Sequence, residues 1–196
     1  QTSNMWRITD DFWDSWPQLY EMFDRAREWC IHAGNGCWPD ADMLPIGPIK
    51  QDYDPSLSTE FTQDEQITMM SLWSIFRSPL IIGGEMTKFD DFTMGLITNE
   101  EILKMHRNAR HSHPVWQKDI DGTEHILWTA VSSEGGQYAV IFNTGEQDSS
   151  IRIPLQDLEI YHPIHSTELW SGQTSEITET INVSLKKHGA AVFYLN

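Results

Sequence analysis

Around His111-Ser112-His113-Pro114 the hydrophobic pattern changes its period. Upstream, apolar residues recur at spacings of three and four between short apolar runs; downstream they alternate one by one. The first pattern belongs to helices interleaved with short strands, the second to half-buried strands. The fold class expected is therefore α/β followed by all-β: strand–helix units over residues 1–110, then an antiparallel β-sandwich over 111–196.

The upstream part resolves further. Met5-Trp6-Arg7-Ile8 is a strand candidate. Pro17 suits a first helical turn, and Leu19, Met22, Phe23, Ala26, Trp29 and Cys30 make one apolar stripe. Ala33-Gly34-Asn35-Gly36 ends that helix, with Gly or Asn able to take a left-handed cap. Trp38 to Gly47 reads as a short strand breaking into a loop, and a polar loop covers 48–61. Thr62-Gln63-Asp64-Glu65 is a capping box. The helix that it opens is apolar on more than one side and is stopped by Pro79. Leu80-Ile81-Ile82 reads as a fully buried strand, turned by Gly83-Gly84, and Asn99 caps a last helix. Strands are predicted downstream over 125–131, 138–143, 150–154, 177–183 and 190–195, with a hairpin at Gly135-Gly136.

Composition narrows the function. Lys and Arg total 13 against 29 Asp and Glu, a formal charge of −16. Binding to nucleic acid needs a basic stripe, and there is none. No run of eighteen apolar residues exists, so no membrane span is expected. The opening Gln1-Thr2-Ser3-Asn4 carries no leader pattern. The reading favours a secreted or periplasmic location over a cytoplasmic one. Cys30 and Cys37 fit either a local pair or two thiols. The histidines lack zinc spacing, and the acidic loop lacks calcium-loop spacing, so neither metal nor cofactor is expected. Nine Trp suit either core packing or stacking on sugars.

Carboxylates follow the strand ends, where barrel enzymes keep their chemistry. Asp10, Asp11 and Asp14 follow the first strand, with Arg7 four residues before Asp11. Either one of them is a general acid oriented by the Arg, or Asp14 caps the helix and the other two are solvated. Asp40 and Asp42 form a second pair, able to hold a turn or to line a site. Asn182-Val183-Ser184 has the pattern of a glycosylation acceptor.

These segments together resemble glycoside hydrolase family 27, the α-galactosidase and α-N-acetylgalactosaminidase family. Trp38-Pro39-Asp40-Ala41-Asp42-Met43-Leu44 with Gly47 is similar to the family's W-N-D-P-D-M-L-x-x-G, departing at Pro39 and Ala41. Ala33-Gly34-Asn35-Gly36-Cys37 resembles the A-G-P-G-G before it. Trp6-Arg7 with Asp11, Asp14, Ser15 and Trp16 resembles W-R-x-x-x-D…D-S-W. Leu72-Trp73 through Pro79-Leu80 resembles L-W-A-x-x-x-x-P-L, and Leu185-Lys186-Lys187-His188-Gly189 resembles the closing strands of the family's sandwich.

The resemblance implies the last three βα units of a (β/α)8 barrel plus the C-terminal sandwich. Asp11 aligns with the acid/base, Arg7 with a substrate-contacting Arg, and Asp40 and Asp42 with loop acids that brace the site and fix Arg7. Met43 falls near the sugar ring, and Trp38 shapes the floor. Trp6, Trp16 and Trp73 also fall in barrel motifs expected near the sugar. The implied activity is retaining exo-hydrolysis of terminal α-linked galactose-type sugars. α-N-Acetylgalactosaminides and β-L-arabinopyranosides are alternatives. A different class is a non-catalytic carbohydrate-binding module built on Trp116, Trp128 or Trp170.

Retention needs a second carboxylate, which the family takes from a Y-x-K-x-D segment that this sequence lacks. A whole barrel needs roughly 250 residues, more than the 196 here. The expected partners are thus a carbohydrate substrate and the N-terminal half of the barrel, in the same or an associated chain. The 196 residues alone are expected to be inactive.

Overall fold

The structure, a computed structural model, describes residues 3–34, 36–49, 54 and 56–196. Asn35 and part of the polar loop expected over 48–61 lie outside the described residues.

The chain begins with two βα units. Strand β1 (Met5–Arg7) leads to helix α1 (Trp16–Trp29), and strand β2 (Trp38–Asp40) leads through a long loop to helix α2 (Gln63–Phe76). β1 and β2 pair in parallel, with Arg7 opposite Asp40. A third parallel contact follows, a single bridge between Leu44 and Ile82. Two short helices close this part, α3 (Asp91–Thr98) and α4 (Glu100–Asn108).

Local signals shape these elements as expected. Thr62 accepts the Glu65 N–H while Glu65 accepts the Thr62 N–H, a complete capping box. Asn99 accepts the amides of Glu101 and Ile102. Two readings change. Asp14 does not cap α1; Ser15 occupies that position, and the Asp14 carboxylate accepts the Glu60 N–H at 2.7 Å. The Leu80–Ile82 run is not fully buried: Ile81 is 42% exposed. A barrel strand is covered only when it has a neighbour on each side, and among the described residues this one is bridged on one side.

The remaining residues form the sandwich. Strands β3 (Ala109–Ile120), β4 (Thr123–Ser132), β5 (Gln137–Asn143), β10 (Ala190–Leu195), β7 (Ile164–Glu168) and β8 (Thr174–Ile177) make one six-stranded antiparallel sheet in that order. β6 (Ser149–Pro154) and β9 (Thr180–Leu185) pair as the second layer. The apolar stretch read as one strand over 177–183 is two strands in different layers, broken after Ile177. The six-stranded sheet begins at Ala109 and carries two register shifts, with His111 at φ +55°. Such bulges bend an edge strand and hide its alternation.

Both faces of this sheet are buried. Ile126, Trp128, Val140, Phe142 and Val192 join the core around α2 and Trp73. Their neighbours Leu127, Ala139, Ile141, Phe193 and Leu195 join a second core against β6 and β9. Helix α2 thus lies between the parallel strands and the sandwich, which explains its apolar character on several sides.

Candidate functional site

The parallel register sets the geometry. Pairing Arg7 with Asp40 brings the loops after β1 and β2 to the same end of the small sheet. The Ile8 N–H donates to the Asp40 carbonyl and extends the ladder by one step.

Arg7 is the hub. Its Nη2 lies 3.2 Å from Asp11 Oδ1 and 2.5 Å from Asp42 Oδ2. It also reaches the Asp10 carbonyl at 3.4 Å. Asp10 therefore meets Arg7 through its backbone, whereas Asp11 meets it through its carboxylate. The Asp11 side chain is 89% exposed. All these contacts use Nη2, so they do not consume the guanidinium's other donors.

Asp42 anchors this arrangement. Its Oδ2 also accepts the Phe12 N–H at 2.8 Å, its carbonyl accepts Trp73 Nε1–H at 3.1 Å, and its own N–H donates to Asp40 Oδ1 at 2.9 Å. Its φ of +74° is left-handed, a conformation that Asp tolerates better than most residues. Ser78 Oγ accepts the Ala41 N–H and fixes the same turn.

Five expected site residues are placed differently. Asp40 is buried and pairs with Arg7 only through the strand register; its carboxylate accepts the Asp42 N–H and holds that turn. Trp38 stands at the start of β2, and the Arg77 guanidinium covers its ring at 4.6 Å. Burial at that position pushes the Arg77 pKa down to about 10. Trp73 is fully buried as the brace of Asp42. Trp16 stacks on His188 at 3.5 Å, at the junction with the sandwich. Trp6 packs edge-on against Trp29. Met43 does stay beside the site loop, half-buried, and its Sδ fills the space where a side chain on Gly83 would begin. The bracing roles of Trp73 and Ser78 had no signal beyond a buried helix end carrying polar residues.

The sandwich offers less to a sugar than its Trp content suggests. Trp128 is completely buried. The Trp116 Nε1–H is spent on Asp157, and Lys118 lies over the ring. Trp170 is half-buried, with its Nε1–H on Ser71. Cys30 and Cys37 are not joined in a disulfide. Among the described residues, no group of three or more His, Cys, Asp or Glu is placed to hold a metal ion. No described helix is long and apolar enough to cross a membrane.

What this site can do is proton transfer beside a cation. Asp11 is an accessible carboxyl group, and Arg7 is held at fixed distance from it by a second, partly buried carboxylate.

Comparison with known proteins adds to this geometry. A family model described as "Alpha galactosidase A" matches residues 1–108, and one described as "Alpha galactosidase C-terminal beta sandwich domain" matches residues 122–195. The chain is 40% identical to a GH27 β-L-arabinopyranosidase from Geobacillus stearothermophilus, with a TM-score of 0.92 over 99% of this chain and 45% of that one. A candidate α-N-acetylgalactosaminidase from Bacillus halodurans is 35% identical, with a TM-score of 0.85 over 96% of this chain and 46% of that one. Alpha-galactosidase D of Emericella nidulans is 24% identical across the whole chain, which covers 28% of its length. The chain thus spans less than half of each of these relatives.

Proposed function

The chain belongs to glycoside hydrolase family 27, and on that premise we propose that the complete protein is a retaining exo-glycosidase acting on terminal galactose-configured pyranosides. Asp11 is its acid/base. The observation that carries this reading is the shared contact of Arg7 with Asp11 and Asp42 at the end of two parallel strands.

Retention proceeds in two steps. Asp11 protonates the leaving oxygen as a second carboxylate attacks the anomeric carbon. Asp11, now ionised, takes a proton from the water that releases the sugar. Arg7 keeps the Asp11 carboxyl in place and offers its remaining donors to a sugar hydroxyl. Asp42 is not the nucleophile in this reading, because its Oδ2 is tied to Arg7 and to the Phe12 amide. That role falls to a carboxylate outside these 196 residues, in the rest of the barrel.

Three substrates fit this class: α-D-galactosides, α-N-acetylgalactosaminides and β-L-arabinopyranosides. Identity of 40% to an arabinopyranosidase, against 24% to an α-galactosidase, supports placing β-L-arabinopyranosides first.

The test uses the full-length protein on nitrophenyl glycosides of the three sugars. Hydrolysis of at least one is expected, and Asp11→Asn is expected to lower kcat/KM by about 10²–10⁴-fold. Full activity in that variant, or no hydrolysis of any of the three, overturns the proposal.

A further inference from the structure

The second layer of the sandwich has two strands against six, so it covers only part of the sheet beneath it. β9 pairs with β6 on one side, and no described strand pairs with its other side. A cavity of about 440 Å³ is lined by β9 together with β10, β7 and β8, and by no residue of β6. It therefore lies along the free side of β9. Its volume falls within the roughly 300–1,000 Å³ of small-molecule sites. Arg7, Asp11 and Asp42 are not among its lining residues.

The floor of the cavity follows from the register. Ser166 of β7 lies opposite Ser175 of β8, and Glu168 of β7 lies opposite Phe193 of β10. Residues directly opposite each other share a face, as do residues two apart along a strand. These four side chains thus stand on one side of the sheet. Ser166 is only 3% exposed, yet its hydroxyl has no hydrogen-bond partner among the described residues. A buried hydroxyl without a partner carries a desolvation cost that a ligand's polar group removes. Glu168 is the ionisable residue of the lining, and its charge is already used. Oε1 accepts the Val192 N–H at 3.1 Å, and Oε2 accepts the Ser171 N–H and hydroxyl at 2.7 Å. The exposed amides of Gln173 and Asn182 complete the polar lining. Trp170, fixed through its Nε1–H on Ser71 at 3.0 Å, adds an apolar wall with Phe193.

We infer that this cavity is a second saccharide site, separate from the one at Asp11, and that it takes a neutral pyranose. Hydroxyl and amide groups both donate and accept hydrogen bonds, as sugar hydroxyls do. No cation lines the cavity to hold a phosphate or a carboxylate, and no free carboxylate lines it to hold a cation. The aromatic wall suits the C–H face of a sugar ring. The inference does not depend on the proposed role of Asp11.

The experiment is calorimetric titration of the full-length protein with D-galactose, L-arabinose, D-xylose, D-glucose and D-galacturonate. At least one neutral sugar is expected to bind at a site beyond the one through which it inhibits nitrophenyl glycoside hydrolysis. Gln173 and Asn182 are exposed, so replacing both leaves the fold intact. Gln173→Ala/Asn182→Ala is expected to weaken that additional binding at least tenfold, with hydrolysis and its inhibition by the sugar unchanged. Ser166→Ala should weaken it as well, and galacturonate should bind there less tightly than galactose. No additional binding, additional binding that the double variant leaves unchanged, or galacturonate held as tightly as galactose each overturns the inference. A protein that hydrolyses no nitrophenyl glycoside but keeps the additional binding loses the proposed function and retains this site.

Discussion

Asp42 shows how much one side chain can fix. It sits in left-handed backbone at φ +74° and spends its N–H, its carbonyl and one carboxylate oxygen on Asp40, Trp73, Arg7 and Phe12. Asp42→Ala keeps the unfavourable backbone, leaves the Phe12 amide without its acceptor and leaves Arg7 with only Asp11 and the Asp10 carbonyl. A cost of about 1–3 kcal/mol is expected for leaving such groups unsatisfied, read as a lower urea midpoint at unchanged slope. An unchanged midpoint would show that the turn holds without it. At this scale the sequence was readable where a contact is local. Arg7 and Asp11 are four residues apart and do meet. It was unreadable where position along a strand decides. Trp38 and Asp40 lie in one three-residue strand, yet the Trp is at the end away from Arg7, and nothing in a Trp says which end of a strand it marks.

The same division holds for elements. The capping box was legible because Thr62 and Glu65 are three residues apart and the motif carries its own hydrogen-bond pattern. The second duty of Glu65 was not legible. Its Oε1 lies 2.7 Å from His188 Nδ1, a residue 123 positions away on the turn between β9 and β10. Thr62→Ala is expected to cost about 1 kcal/mol, the usual value of a cap. Glu65→Ala should cost more, because it also leaves His188 without a partner on its buried side. Chemical denaturation of the two variants separates these effects, and equal losses would mean that the His188 contact contributes nothing. Strands β7 and β8 escaped the pattern for a related reason. β7 shows only Ile164 as an apolar inward residue, with Ser166 sharing its face. The run 177–183 kept its alternation while changing layers, a turn that periodicity does not register.

At the scale of the whole molecule, α2 and the six-stranded sheet share one core, so the barrel-like part and the sandwich are coupled. Polar contacts reinforce the junction: Trp16 stacked on His188, Tyr20 donating to Glu124, and Trp170 donating to Ser71. A chain built this way should respond as one body to loss of a buried group in either part, and two histidines offer the trial. His106 on α4 donates through Nε2 to the Ser78 carbonyl at 2.8 Å. Burial depresses its pKa, and the charges of Arg77 and Arg107 add to this against the Ser78 carbonyl. His125 on β4 contacts Ser149 Oγ at 2.7 Å, and burial depresses its pKa too, against the Thr123 carbonyl and nearby acids. In both, the folded state holds its proton less tightly than the unfolded chain, whose histidines titrate near about 6.5. As pH falls through that value the unfolded state takes up protons first, so stability decreases on acidification and continues to fall down to the lower folded-state pKa. Above about pH 7 the neutral imidazoles cost nothing of this kind. Thermal unfolding of the full-length protein at pH 7.5 and 5.5, on the order of one unit to each side of the free histidine value, should show a lower midpoint in acid. His106→Gln keeps a donor for Ser78 and does not titrate, so its loss between the two conditions should be smaller. The same acid loss in wild type and variant would show that His106 is not among the groups responsible.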